Sequence, residues 1–313
     1  MEYRRLGDSG LKVSEIGLGC NNFGMRIDQA ATDAVVNAAI EHGITLFDTA
    51  DVYGGQGKSE EMLGNVLTGG KRDQIVLATK FAMPMGKGPD MQGGSRRYVM
   101  NAVEASLKRL KTDHIDLYQM HRFDAETPLE ETLGALDDLV TQGKVRYLGN
   151  SNYTGWQIAD ADWIARNEHK NRFVSAQNNY SLIERRVEHE VTPACERFGL
   201  GMLPFFPLAS GLLTGKYKRG EAPAEGTRLA AWGPRGAAAL TDQNFDRLEK
   251  LSSWAEERGH DMLDLAFSWL LGHPVVSSVI AGATKPEQVA ANAATAGWKL
   301  TPEEVEEVTK LAA

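Results

Sequence analysis

A tyrosine can hand a proton to a developing alkoxide only if its environment assists, because a free phenol has a pKa of roughly 10. The sequence offers one tyrosine, Tyr53, with three polar residues that could tune it. Asp48, Lys80 and His121 each stand at the end of a short β-branched, apolar run, and Tyr53 lies in the loop after Asp48. A neighbouring ammonium favours the phenolate and lowers that pKa. Asp48 can keep Lys80 charged and aimed, while His121 can turn a carbonyl oxygen toward the phenol. Such a group suits proton donation to an alkoxide. Taken singly, each residue has a plainer role. Asp48 would cap a loop, Lys80 end a strand in solvent, His121 bond to backbone, and Tyr53 pack over the Gly54-Gly55 turn.

The elements that must bring them together alternate regularly. Tyr3 to Val13 reads as two short strands around Gly7-Asp8-Ser9-Gly10. Strands follow at Ile16–Gly19, Thr45–Thr49, Ile75–Lys80, Ile115–His121, Val145–Ser151, Val174–Asn178, Met202–Phe206 and Ser277–Ala281. Amphipathic stripes lie between them: Val99, Val103, Leu107 and Leu110; Leu129, Leu133, Leu136 and Val140; Val187, Val191, Cys195 and Phe198. Gly43 and Gly143 fall where left-handed helix caps are wanted. Eight such units predict one domain over residues 1–313. It is a (β/α)8 barrel with an N-terminal β-hairpin and a final helix from Thr301 to Leu311. Adjacent parallel strands lie roughly 4.8 Å apart, so consecutive strand ends can converge at one rim. Residues 209–240, rich in Gly, Pro and Ala, read as a functional loop.

Composition excludes other classes. The 313 residues carry a formal charge of −8 and 42% hydrophobic residues, without a basic block, so neither nucleic acid nor an anionic membrane is an expected partner. Leu263 to Leu271 is apolar but too short to span a bilayer. Met1 to Leu6 has no leader character. Cys20 and Cys195 lack metal-ligand spacing, and a reducing, cytoplasmic setting is expected. No metal is expected, and oligomeric state is not readable.

Three segments carry a resemblance. Leu46-Phe47-Asp48-Thr49-Ala50-Asp51-Val52-Tyr53-Gly54, Ala78-Thr79-Lys80 and Asp116-Leu117-Tyr118-Gln119-Met120-His121 resemble the aldo-keto reductases. In that family the matching Asp, Tyr, Lys and His form the catalytic tetrad, with tyrosine as acid. Ser106-Leu107-Lys108-Arg109-Leu110, Gly143 to Gly149 and Leu212 to Tyr217 extend the likeness nearly end to end. It implies NADPH as cofactor, with NADH the lesser alternative, and a small carbonyl compound as substrate. Ser151, Asn152 and Gln177, with Asp48, match the nicotinamide site, and Phe205 takes the place of the stacking aromatic. Leu208, Ser210, Gly211, Leu212, Lys216 and Arg228 match the loop over the pyrophosphate. Gly282, Thr284, Lys285, Gln288 and Asn292 match the adenosine and 2′-phosphate site. Phe206 and Ala291 depart from the usual serine and glutamate, and Phe205 from the commoner tyrosine or tryptophan.

Two rivals stand beside the reductase reading. Similar β-subunits of potassium channels bind NADPH as regulatory partners, but carry asparagine where this chain has His121. A lyase would use Lys80 as a Schiff-base nucleophile, which borohydride trapping would reveal. The substrate itself is not readable. Met25, Met83, Met85, Met91 and Trp232 are the expected adaptable lining of its pocket.

Overall fold

Strands turn successive side chains to opposite faces, and here that alternation builds an interior with an apolar floor and a polar upper layer. The computed structural model describes residues 1–231 and 233–313. Strands β1 (Tyr3–Arg5) and β2 (Lys12–Ser14) pair antiparallel, with Tyr3 opposite Ser14 and Arg5 opposite Lys12. The barrel strands are β3 (Ile16–Gly19), β4 (Leu46–Asp48), β5 (Val76–Phe81), β6 (Ile115–Met120), β7 (Val145–Ser151), β8 (Phe173–Gln177), β9 (Gly201–Met202) and β10 (Val279–Gly282). They run in the order β10-β3-β4-β5-β6-β7-β8-β9, all parallel. The ring closes irregularly between β9 and β10. Met202 N–H donates to Val275 O, Ser277 N–H to Met202 O and Ile280 N–H to Pro204 O. The chain is thus a (β/α)8 barrel with an N-terminal hairpin.

The strand expected over Met202–Phe206 is reduced to Gly201–Met202, with Phe205 joined to Ile280 only by an isolated bridge. Pro204 is the reason, since it has no N–H to give to a ladder. The other barrel strands lie within a few residues of their expected spans.

Inside the barrel, Leu46, Ala78, Leu117, Leu203 and Ile280 pack with Leu6 and Val13 of the hairpin into a separate apolar cluster. The hairpin therefore plugs one end. Two residues further along their strands come Asp48, Lys80 and Gln119, and β8 adds Gln177 to the same layer, all buried. Outward-facing Leu18, Phe47, Leu77 and Tyr118 join the larger core beneath the helices.

The helices bury the stripes that define them. Val99, Val103, Leu107 and Leu110 are all buried on helix Arg96–Leu110, which Ser95 caps by accepting the Tyr98 N–H. Helix Leu129–Thr141 buries Leu129, Leu133 and Leu136 and leaves Val140 partly covered. Gly43 and Gly143, with φ of 74° and 75°, turn the chain out of helices Gln29–Glu41 and Leu129–Thr141. The third stripe is split: Val187 sits in a 3-10 turn, Arg186–His189, and Val191 and Cys195 in helix Val191–Phe198. Glu190 breaks it, its extended φ of −144° lying outside the helical range. Among the described residues, 209–240 hold short helical turns, Ala209–Thr214, Arg228–Ala231 and Pro234–Ala237. Helix Met262–Leu271 is a core helix. Thr301 caps the final helix, Pro302–Leu311, in a capping box with Glu304. Among the described residues no helix is long and apolar enough to cross a membrane.

Candidate active site

The polar layer is organised around one buried ion pair. Lys80, fully buried at the end of β5, donates from Nζ to Asp48 Oδ1 at 2.8 Å, to Asp48 Oδ2 at 2.6 Å and to Thr49 O at 3.0 Å. A buried ammonium needs such a partner, and the contacts match its three N–H donors. Burial works against the Lys80 charge, but Asp48 and the neighbouring Tyr53 outweigh it and hold the pKa above the ordinary lysine value. Asp48 Oδ1 also accepts from Gln119 Nε2 at 3.1 Å and Gln177 Nε2 at 2.8 Å, and Gln177 Nε2 reaches Gln119 Oε1 at 3.2 Å. The carboxylate is thereby fixed from three strands.

Gln119 did not figure among the expected site residues. Strand period would have found it, because Leu117, Gln119 and His121 alternate onto one face.

The loop after β4 presents Tyr53 to this pair. Tyr53 N–H bonds Ala50 O, and Thr49 Oγ1 shares a hydrogen bond of 2.8 Å with Ser59 Oγ, which donates to Cys20 O. Gly54 makes the turn feasible. Its φ is +72°, and a Cβ there would lie 2.7 Å from Phe23 O. Lys80 Nζ is 5.2 Å from the centroid of the Tyr53 ring. The His121 ring stands edge-on to it, with centroids 5.7 Å apart and planes at 85°.

The pKa picture corrects a simple expectation. Burial pushes the Tyr53 phenol above its ordinary value; Lys80 pulls it down, while Asp48 adds to the rise. Lys80 therefore limits an increase instead of producing a net decrease. Burial, and then the Lys80 charge, drive His121 down to about 3. The imidazole is neutral at physiological pH, with a buried Nδ1 that has no hydrogen-bond partner among the described residues.

A cavity of about 580 Å³ opens over this group. Of the expected residues, Asp48, Tyr53, His121, Ser151, Asn152, Gln177, Phe205, Leu208, Ser210, Gly211, Lys216, Arg228, Gly282, Thr284, Gln288 and Asn292 line it. Lys80 lies behind Asp48. Leu212 is buried in the core and does not reach the cavity surface. Lys285 is exposed at the N-cap of helix Pro286–Ala294, outside the lining. Thr284 N–H and Oγ1 both bond Gln288 Oε1, at 2.8 and 3.1 Å. Asn152 Nδ2 donates to His121 O and Ser151 Oγ.

Backbone strain gathers here. Asn152, Phe206, Ala209 and Ser210 have φ of 58°, 54°, 45° and 61°, at a cost of order 1–3 kcal/mol each.

The outer cavity is cationic. Arg26, Lys216 and Arg228 line it, and among the described residues no carboxylate pairs with any of them. Burial, then Arg26, pulls the Arg228 pKa below its ordinary value. Arg26, in the segment 21–28 that the sequence places at the rim but not singled out there by name, also donates to Gly226 O at 3.3 Å. The expected methionine lining does not form. Met25, Met83, Met85 and Met91 are not among the lining residues; Met25 is 69% exposed, and Met85 packs on the core. Asn21, Asn22 and Arg26 stand on the near wall instead. Trp232 lies outside the described residues.

Fold and site together define a (β/α)8 barrel with a buried ion pair, a phenol and an imidazole gathered at the C-terminal ends of its strands. The chain belongs to the aldo/keto reductase family: the family model matches residues 15–313. It is accordingly an oxidoreductase. It is 40% identical over 298 residues to an oxidoreductase of Bacillus subtilis (strain 168), covering 92% of this chain and 89% of that one. It is 36% identical to a probable voltage-gated potassium channel subunit beta of Oryza sativa subsp. japonica, covering 98% and 95%. It is also 36% identical to the L-glyceraldehyde 3-phosphate reductase of Escherichia coli (strain K12), covering 93% and 86%.

Proposed function

We propose that this protein reduces a small aldehyde or ketone to an alcohol with NADPH, Tyr53 supplying the proton. The observation that carries the reading is the placement of Tyr53 and His121, above the buried Asp48–Lys80 pair, on the floor of a cavity whose outer wall is cationic.

The residues present fit a dinucleotide phosphate. Three cations that no carboxylate among the described residues pairs with suit its phosphates, and the left-handed backbone at Ala209 to Gly211 suits close approach to an anion. Phe205 would face the nicotinamide ring, with Ser151, Asn152 and Gln177 at its carboxamide. Lys216, Arg228 and the backbone of 208–212 would hold the pyrophosphate, and Gly282, Thr284, Lys285, Gln288 and Asn292 the adenosine end. The cofactor, when bound, supplies a hydride for the carbonyl carbon. The chain's own residues handle the rest. A neutral His121 donates one N–H to the carbonyl oxygen and orients it. Tyr53 holds its proton at neutral pH and releases it to that oxygen as negative charge develops. Lys80, kept charged by Asp48, stabilises the phenolate left behind.

NADPH oxidation with a panel of aldehydes and ketones tests the reading, with turnover expected for some of them. The second reading, a cofactor-binding regulatory subunit, draws on the likeness to the plant channel subunit. Tight NADPH binding without turnover of any carbonyl would favour it.

A further inference from the structure

Beside the active-site loop lies a second buried acid that the reduction does not use. Asp51, two residues before Tyr53, is 1% exposed, and its N–H bonds Lys80 O at 3.1 Å. Its Oδ2 lies 3.3 Å from Tyr98 Oη, which lies 3.3 Å from Met83 O. A phenol has one proton. If Tyr98 gives it to Asp51, Met83 O goes without; if it gives it to Met83 O, then Asp51 must be the donor to the phenol oxygen. Both contacts are full two-centre hydrogen bonds only when Asp51 is a neutral acid; a carboxylate would leave them sharing one proton.

The surroundings agree. Asp51 Oδ1 is buried with no hydrogen-bond partner among the described residues, a cost far smaller for a neutral carboxyl than for a carboxylate. From helix Lys58–Val66, Glu60 faces Asp51, itself bonded to Thr79 Oγ1 at 2.5 Å and Arg109 Nε at 2.7 Å. Helix Arg96–Leu110 contributes Tyr98 and Arg109, and β6 contributes Tyr118, whose buried hydroxyl is unpartnered among the described residues. Burial first, then Glu60, raise Asp51 to about 7, against the pull of Arg109, Tyr98 and the Val52 N–H.

The chain of bonds ends at a strained point. Met83 follows Ala82, whose φ of +90° is unusual for a residue with a side chain; such a conformation persists only where its surroundings hold it. Met83 opens the rim segment 82–95. The far end of that segment is tied separately, Gly93 N–H to Ala82 O and Gly94 N–H to Asp124 Oδ2. The bonds from Gly94, Thr127 and the Glu126 N–H outweigh burial and keep Asp124 below the usual carboxylate range, so it does not titrate near neutrality.

We propose that Asp51 carries a proton and, through Tyr98, ties the 82–95 rim loop to the segment bearing Tyr53, making it a positioning residue for Tyr53, the member of this network that lines the cavity. The role toward Tyr53 rests on the reductase reading; the tie between Asp51 and the loop does not. Ionisation of Asp51 turns the Tyr98 proton back toward the carboxylate, frees Met83 O and loosens the loop.

Two measurements on the full chain test this at pH 6 and pH 8.5. The first is trypsin cleavage at Lys87, exposed in the rim loop, compared between parent and Asp51→Asn at each pH so that the protease's own pH dependence cancels. Asparagine keeps a donor toward Tyr98 but cannot ionise. Loss of one hydrogen bond corresponds to about fivefold, so the parent-to-variant cleavage ratio should rise by about fivefold between pH 6 and 8.5. Tyr98→Phe, which lacks the donor to Met83 O, should be cleaved fast at both. The second is kcat for 4-nitrobenzaldehyde at saturating NADPH, whose parent-to-variant ratio should fall by a similar factor over the same range. A cleavage ratio equal at both pH values overturns the proposal. Absence of 4-nitrobenzaldehyde turnover, alongside failure of the wider carbonyl panel, would instead count against the reductase reading, leaving the cleavage ratio to decide Asp51's part.

Discussion

Replacing Lys80 by methionine should separate the two jobs of the buried pair. The substitution keeps the length of the side chain and removes its charge. Lys80 Nζ lies 5.2 Å from the Tyr53 ring centroid. At an effective dielectric of about 20, a unit charge at that distance is worth about 3 kcal/mol to a phenolate. Burial and Asp48 both push the Tyr53 pKa up, and Lys80 is the main group pulling it down. Its loss should therefore slow proton release by about 10²-fold at neutral pH and move the proton-donor limb of the pH–rate profile further upward. The same substitution leaves Asp48 buried, held among the described residues by the amides of Gln119 and Gln177. A stranded charge costs about 3–5 kcal/mol, so the melting temperature should fall as well. The double variant Asp48→Asn with Lys80→Met resolves the two effects. It contains no unpaired charge, so it should regain most of the stability and remain as slow as the single variant. The assay is kcat against pH at saturating NADPH, beside thermal denaturation of all three proteins. A single variant within threefold of the parent rate, with an unchanged profile, would remove Lys80 from the chemistry.

Other outcomes follow from the same geometry. Tyr53→Phe keeps the ring against His121 and deletes the proton, so kcat should fall by about 10²–10⁴-fold with NADPH affinity, read by fluorescence quenching, nearly unchanged; parental turnover would refute the assignment. Lys285→Ala should weaken NADPH by about ten- to hundredfold and leave NADH nearly untouched, because a charge-assisted bond to a 2′-phosphate is worth about 1.5–3 kcal/mol; equal losses for both cofactors would show that this helix start does not read the phosphate. Asp51, raised from 3.8 to about 7 in the folded protein, binds its proton more tightly folded than unfolded. Its contribution is present below about pH 4 and is lost as pH rises to 7, amounting to roughly 4 kcal/mol. Asp51→Asn should accordingly gain stability relative to the parent between pH 5 and 8 in denaturant titrations, and a constant difference would contradict the shift.

How much of this was legible in the sequence depends on which physical signal carried it. Strand period and helix stripes are local, so the order of barrel elements could be read directly. Where a stripe is interrupted by backbone geometry, as at Glu190, or a ladder by a missing donor, as at Pro204, the local pattern overran the true boundary. The residues around Tyr53 were visible because each stands where a strand ends, but their electrostatic balance was not. Whether burial or Lys80 dominates the phenol depends on how much protein covers the ring, and that is a property of the assembled barrel. The same holds for the rim. Met25, Met83, Met85 and Met91 had the right chemistry for a pocket lining, yet loop conformation decides which side chains face inward, and here asparagines and Arg26 do so. Asp51 is the clearest case. It stands inside the quoted Asp48-to-Gly54 motif, but its sequence neighbours give no reason to expect a proton on it. That reason comes from burial in the assembled barrel and from Glu60 on a neighbouring helix, with Tyr98 brought beside it by another. Only once they are in place does the single proton of Tyr98 have two acceptors to serve.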